Sequence, residues 1–221
     1  AVPIRHKTLP MRPFRDLTCG KIQSVFPSSH YSNFTFKIVS MKHYLAILEE
    51  TTKRDWKKAA LSNYGGEDFT FEQVATWIEK FHLFFEACDV KKPQKIALCA
   101  ANSARWAISF LAINTYETVV VPLLSDFHPD NVNTLVDHSE SVILFTDKDI
   151  WTKLDTEKMP KVMAVVSAND FSLLWSREQK YADAHAKMDE MLAAKYPDGF
   201  KPEHVSYPTD NLKELAVINY T

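Results

Sequence analysis

Asn102-Ser103-Ala104-Arg105-Trp106 opens the stretch that decides the fold. It runs through Val119-Val120-Val121-Pro122-Leu123 and the turn Asp126-Phe127-His128-Pro129-Asp130 to Val142-Ile143-Leu144-Phe145-Thr146. The pattern is helix, strand, helix, strand, with short connections. Each strand is a brief apolar run rich in β-branched residues, as expected of a strand covered on both faces. Helices recurring between such strands imply parallel pairing, because a parallel connection needs a crossover. The reading is an α/β fold: a layered parallel-sheet subdomain with flanking helices. Ser103 starts the first helix, where Trp106, Phe110 and Ile113 form one stripe read as core. In the second helix Pro129 suits the first turn, Asp130 favours the positive end of the dipole, and Val132, Leu135 and Val136 face inward. That helix start also accounts for the carboxylates and imidazole at Asp126, His128 and Asp130, so no metal site is assigned there.

Upstream, Tyr44, Ile47, Leu48 and Thr51 repeat with helical spacing from Met41 onward. Residues 59–64 and Phe69-Thr70-Phe71 flank Gly65-Gly66 and predict an N-terminal β-hairpin. The clearest helix follows, with Phe71, Val74, Ile78, Phe81, Phe85 and Cys88 on one face. Thr70 and Gln73 have the spacing of a capping box. His82 lies at this helix's apolar edge and is read as a packed side chain. Lys91-Lys92-Pro93 ends the unit, and residues 96–100 read as a buried strand.

Downstream, residues 149–154 predict a short helix and residues 162–166 a strand, while residues 171–175 are ambiguous. Residues 181–196 predict one surface helix with Ala184, Met188 and Met191 on one side. Pro202 and Pro208 suggest an irregular surface loop. Residues 215–220 predict a final buried strand. Glu49-Glu50 and Asp189-Glu190 are read as solvated faces, since adjacent helical residues do not face each other.

Composition narrows the chemistry. A chain of 221 residues is long enough to bury roughly 70% of its unfolded surface. Hydrophobic residues at 46% and charged residues at 24% fit a globular domain. A formal net charge of −2 argues against a nucleic-acid partner. No apolar run reaches the roughly 18 residues of a transmembrane span. Cys19, Cys88 and Cys99 are odd in number and far apart, which suggests reduced thiols and a cytoplasmic setting. There is no Gly-x-Ser-x-Gly elbow, hence no serine-hydrolase nucleophile. The four glycines, Gly20, Gly65, Gly66 and Gly199, do not cluster as a phosphate-cradling loop requires.

Residues 1–40 stand apart. They hold six basic residues and one acidic residue, against 20 basic and 27 acidic in residues 41–221. They are read as a non-domain leader, either transit-like or derived from the expression vector. Their prolines break the amphipathic helix that a transit peptide needs.

Several stretches, in order, resemble the N-terminal portion of an adenylate-forming enzyme of the AMP-binding superfamily, most like a long-chain fatty acid–CoA ligase. Phe69-Thr70-Phe71-Glu72-Gln73-Val74 is similar to the family's entrance to its first long helix. Asn102-Ser103-Ala104-Arg105-Trp106 with Phe110-Leu111-Ala112 resembles its Asn-Ser, Trp, Leu-Ala helix. Residues 119–123 resemble its Val-Pro strand, and residues 135–146 its helix ending in His-Ser with the strand that follows. Residues 216–221 resemble the strand leading into its phosphate loop. Tyr116-Glu117 departs from the family's Ala-Gly-like pair, which puts the tightness of that helix end in doubt.

The resemblance implies that residues 41–221 form the N-terminal part of an adenylation domain, ending at the start of the phosphate loop. It also implies that the complete enzyme uses ATP, Mg²⁺ and CoA to activate a carboxylic acid, expected to be a fatty acid. Thr221, the first residue of that loop, is the one cofactor-binding residue expected here; no catalytic or metal-binding residue is. The segment alone is expected to be inactive and, with sheet edge exposed, prone to self-association. The alternative is a non-catalytic α/β ligand-binding or interaction module.

Overall fold

Thr70 and Gln73 bond each other's backbones where the central helix begins. Thr70 Oγ1 accepts from the Gln73 amide at 3.2 Å, and Gln73 Oε1 accepts from the Thr70 amide at 2.8 Å. This is the reciprocal box that the spacing predicts. The helix, α2 (Phe71–Ala87), buries Val74, Ile78, Phe81, Phe84 and Phe85. The structure is a computed structural model and describes residues 43–208 and 214–220. The expected leader at residues 1–40, with Cys19, and the expected site residue Thr221 lie outside the described residues.

Ahead of α2 come α1 (Tyr44–Arg54), β1 (Ala59–Ser62) and β2 (Asp68–Thr70). The two strands pair antiparallel as the expected hairpin. Gly65 takes φ 66° in the turn, a conformation glycine adopts without strain. α1 forms, but it turns a different face inward. Leu45 and Thr52 are buried, while Tyr44 and Ile47 are 46% and 52% exposed. A short helix with few apolar residues carries two adjacent candidate stripes, and tertiary packing decides between them.

The sheet contains β3 (Lys95–Cys99), β4 (Val119–Leu123), β5 (Ile143–Thr146), β6 (Ala164–Ser167) and β7 (Leu173–Ser176), in the spatial order β4-β3-β5-β6-β7. The first four are parallel neighbours. β7 is antiparallel to β6, so the sheet is mixed; this strand is the stretch the sequence left ambiguous. The connecting helices are α3 (Ala104–Thr115), α4 (Pro129–His138) and α5 (Lys148–Trp151), followed later by α6 (Gln179–Ala186) and α7 (Met188–Lys195).

Strand alternation divides the core into two. Ile96, Leu98, Val120, Ile143, Phe145 and Val166 pack with residues of α2, α3 and α6. Ala97, Cys99, Val121, Leu123, Leu144 and Val165 pack on the other face with Val132 and Val136 of α4. Successive strand residues point to opposite faces, so apolar runs without polar gaps are what two covered faces require. Phe81 meets Phe145 and Phe171 edge-on at 5.1 and 5.0 Å between ring centres, a geometry that aromatic quadrupoles favour.

Four further expectations need correction. In α3 the buried face is Ile108, Ala112 and Ile113; Trp106 and Phe110 stack on each other at 5.4 Å and are only half-buried. Residues 181–196 form two helices, broken at Lys187, and Tyr181, Ala184 and Met188 are buried in the core shared with α2. Residues 202–208 are irregular beyond one short turn, as expected, but not wholly at the surface: Val205 and Tyr207 are buried, and the Tyr207 amide donates to Glu49 Oε2 at 2.8 Å. Residues 215–220 are not a buried strand. They touch β4 by a single parallel bridge, Val120 to Val217, and Leu215 is 57% exposed.

Three helices end alike. Asp89, Glu117 and Glu140 follow α2, α3 and α4 with φ of 58°, 61° and 56°. The next amides, of Val90, Thr118 and Ser141, reach back to the carbonyls of Phe85, Ile113 and Val136. This is the Schellman closure that glycine usually makes. Glu117 therefore keeps the helix-to-strand connection tight without glycine, at the energetic cost of a left-handed acidic residue.

Candidate functional site

β4, β3 and β5 have the order of a doubly wound sheet, in which the chain leaves β3 toward one side and returns past it to the other. In such sheets ligands bind at the carboxyl ends of the strands, at the point where the order reverses. Here that point lies between β3 and β5. The loops that meet there are residues 100–103 after β3 and Asp147 after β5.

This crevice is occupied by the chain's own groups. Asp147 Oδ2 accepts from the Ala101 amide at 2.8 Å, and its Oδ1 accepts from Asn169 Nδ2 at 2.9 Å. Asn169 Oδ1 accepts from the Lys148 amide at 2.8 Å. Lys148 Nζ lies 2.6 Å from Asp170 Oδ2, and that hydrogen bond holds the Asp170 carboxyl well below the usual carboxylate range. Thr146 Oγ1 donates to the Cys99 carbonyl at 2.8 Å. Sequence reasoning missed Asp147 and Asn169. The available signal was Asp147 standing between a strand and a helix, where an acceptor side chain is favoured.

The helix N-termini at this edge are closed in the same way. Ser103 Oγ accepts from the Trp106 amide at 3.1 Å, and Asn63 Oδ1 from the hairpin accepts from the Ala104 amide at 2.8 Å. At α4, His128 Nδ1 accepts from the Asp130 amide at 3.3 Å. A helix start binds phosphate through amides left without acceptors, and these amides have protein partners. The Ala104, Trp106 and Asp130 amides are therefore not free to receive a nucleotide phosphate.

The other candidates separate in space. Asp130 pairs with Lys158 at 2.8 Å and lies 3.8 Å from His128 Nδ1. Among the described residues no group of three or more His, Cys, Asp or Glu side chains could hold a metal ion. His82 is packed: its Nε2 lies 2.9 Å from Thr115 Oγ1 and 3.2 Å from the Ala112 carbonyl. Burial pushes its pKa down to about 4. Cys88 and Cys99 are buried free thiols, and burial pushes each up to about 12, too high for a nucleophilic thiolate at neutral pH. Glu49 is not a purely solvated carboxylate, since it also bonds Lys53 at 2.5 Å.

Two clefts open at the opposite, amino edge of the sheet. One of about 350 Å³ lies among Lys92, Lys95, Glu117, Val119 and Leu215. The other, of about 320 Å³, lies among Gln94, Lys95, Glu140 and Lys161. Their charges are largely paired with one another, Lys92 with Glu117 and Lys95 with Glu140. They face helix C-termini, not the anion-attracting N-termini.

The last described segment lies along β4. The Val120 amide donates to the Ala216 carbonyl, and the Ile218 amide donates to the Val120 carbonyl, each at 3.0 Å. Tyr220 Oη lies 2.7 Å from His138 Nδ1. Thr221 follows directly in the sequence.

A family model described as AMP-binding enzyme matches residues 48–221. The chain belongs to the AMP-binding enzyme family. It is 29% identical over 117 residues to long chain acyl-CoA synthetase 4 of Arabidopsis thaliana, a match covering 50% of this chain and 16% of that protein. Its fold is similar to that of the anthranilate CoA ligase AuaEII, with a TM-score of 0.61 and 16% identity over 80% of this chain and 31% of that one. It is likewise similar to the coronafacic acid ligase of Pectobacterium brasiliense, at a TM-score of 0.61 and 16% identity over 79% and 33% of the two chains. The N-terminal subdomain of Klebsiella oxytoca NpsA matches at a TM-score of 0.54 and 14% identity, over 85% and 39%. The chain thus spans a sixth of the curated AMP-binding relative and about a third of these solved structures. The fold is the α/β sheet with flanking helices expected of part of an adenylate-forming enzyme. Among the described residues, no helix is long and apolar enough to cross a membrane.

Proposed function

We propose that residues 41–221 are the N-terminal scaffold part of an ATP-dependent acyl-CoA ligase, preceded by a non-domain leader at residues 1–40. The observation that carries this reading is the closed carboxyl edge. The amides of Ala101, Ala104, Trp106, Asp130 and Lys148 are held by Asp147, Asn63, Ser103, His128 and Asn169. In an enzyme family that handles a nucleotide, such a segment supports a site that the chain approaches at Thr221.

In the complete enzyme the carboxylate oxygen of the substrate attacks the α-phosphorus of ATP. The α–β phosphoanhydride breaks and pyrophosphate leaves, with Mg²⁺ offsetting charge. The CoA thiolate then attacks the acyl carbonyl and AMP departs. These steps need donors aimed at developing charge, to which this segment contributes Thr221. The likeness to a plant long chain acyl-CoA synthetase supports a long-chain fatty acid as the carboxylate. The buried free thiols Cys88 and Cys99 suit a reducing, cytoplasmic setting. The 221 residues by themselves do not form acyl-adenylate, and they self-associate through uncovered sheet edge.

The test is to express the complete reading frame that contains this chain and to measure carboxylate-dependent AMP release and thioester formation. Long-chain fatty acids are expected to support turnover better than benzoate or malonate. No carboxylate-dependent AMP release, or a clear preference for the aromatic acid, would overturn the assignment.

A further inference from the structure

The single bridge between residues 216–218 and β4 has a cause in the sequence of β4. The Val119 amide bonds the Gln94 carbonyl toward β3, so Val119, Val121 and Leu123 present their backbone groups to β3. Val120 and Pro122 present theirs to the outer edge. Val120 uses both: its amide reaches the Ala216 carbonyl and its carbonyl takes the Ile218 amide. In this register the next rung would need an N–H at position 122 to donate to the Ile218 carbonyl. Proline has none, and such residues belong at strand edges for that reason. Pairing accordingly stays at one bridge. Behind the bridge, Asn114 Nδ2 lies 3.5 Å from the Ala216 carbonyl and Asn114 Oδ1 accepts from Tyr44 Oη at 2.5 Å. The segment is held by the backbone at residues 216 and 218; beyond them Tyr220 is tied by its side chain to His138 at 2.7 Å, and no further backbone bond to β4 follows among the described residues.

We propose that Pro122 is a positioning residue: it ends strand addition at β4 after one rung and so directs the backbone of residues 219–220 away from the sheet edge. If the ligase reading above holds, this keeps the approach to Thr221 available to nucleotide instead of zipped into the sheet. The pairing claim itself does not depend on that reading.

Hydrogen exchange of the 221-residue chain, followed amide by amide, tests it with Pro122→Ala and Pro122→Val. The wild-type chain should protect the Ile218 amide and leave the Tyr220 amide close to its unprotected rate. In the variants, the amide newly present at position 122 should exchange about tenfold more slowly than an unpaired one, and the Tyr220 amide should slow to match. The two variants guard against one failing to fold, which retained protection in β3 and β5 would show. A folded variant whose new amide exchanges freely, or a wild-type Tyr220 amide already protected, would overturn the proposal. Failure of the complete enzyme to use ATP would count against the ligase reading alone and leave the exchange result as it stands.

Discussion

Asp147 accepts the backbone amide of Ala101 at 2.8 Å, joining the loop after β5 to the loop after β3 across the reversal point of the sheet. A carboxylate thus sits where related topologies place a ligand anion. Replacing it should loosen the edge without disturbing the core. Asp147→Ala removes acceptors for Ala101 and Asn169 and should lower unfolding stability by about 1.5–3 kcal/mol, the range for hydrogen bonds to a charged group. Urea denaturation measures this. An unchanged midpoint would mean that water replaces the carboxylate without loss.

His82 sets an acid limit. Burial is the main cause of its lowered pKa, from 6.5 to about 4, and the Glu79 carboxylate opposes that shift. The unfolded chain takes up a proton near pH 6.5, whereas the folded chain resists it until about 4. Stability is therefore full above pH 6.5 and falls as pH drops from 6.5 toward 4, by roughly 3 kcal/mol in all. His82→Gln should flatten that part of the stability-against-pH curve. An equal slope in the variant would assign the acid sensitivity to other groups.

The left-handed acidic residues give an opposite sign. Glu140 has φ 56° and only distant cations, Lys95 at 3.7 Å and Lys161 at 3.9 Å. Glu140→Gly should raise stability by about 0.5–1 kcal/mol: relief of the left-handed strain exceeds the added freedom of the unfolded chain. Glu117→Gly should gain less, because it also loses the Lys92 pair. Thermal unfolding of the two variants, compared directly, checks the order.

At the start of α2, Thr70→Ala should cost about 1 kcal/mol by removing one half of the capping box. The same change should increase exchange at the Gln73 amide, which Thr70 Oγ1 now holds at 3.2 Å.

Much of this fold was legible where a local rule and the tertiary context agree. Thr70 and Gln73, the valines of β4 and Pro129 each satisfy a local preference that the packed chain also wants. Legibility failed where packing chose between local options. Tyr44 and Ile47 lie one position off the buried stripe of α1, and Trp106 with Phe110 forms a stacked, half-buried pair at the core's margin while Ile108 is fully buried. β7 was ambiguous because a short strand without clear alternation has no signature of its own; β6 supplies its register. Residues 215–220 read as a buried strand by composition, but the limit on their pairing lies far away, at Pro122. The site followed the same division. Glycine poverty points away from a phosphate loop, while the side-chain caps at Ser103 and His128 are a separate finding of the structure. Asp147 and Asn169 could not be paired from sequence, because their contact exists only once β5 and β6 lie side by side.

Calorimetric titration of Mg²⁺·ATP into the 221-residue chain tests the central claim most directly. With the helix starts and the reversal point already occupied by Ser103, Asn63, His128, Asp147 and Asn169, no saturable heat is expected up to about millimolar nucleotide, the limit of roughly −4 kcal/mol of binding free energy. A saturable isotherm in the micromolar range, altered by Asp147→Ala, would contradict the account and place a working nucleotide site within these residues.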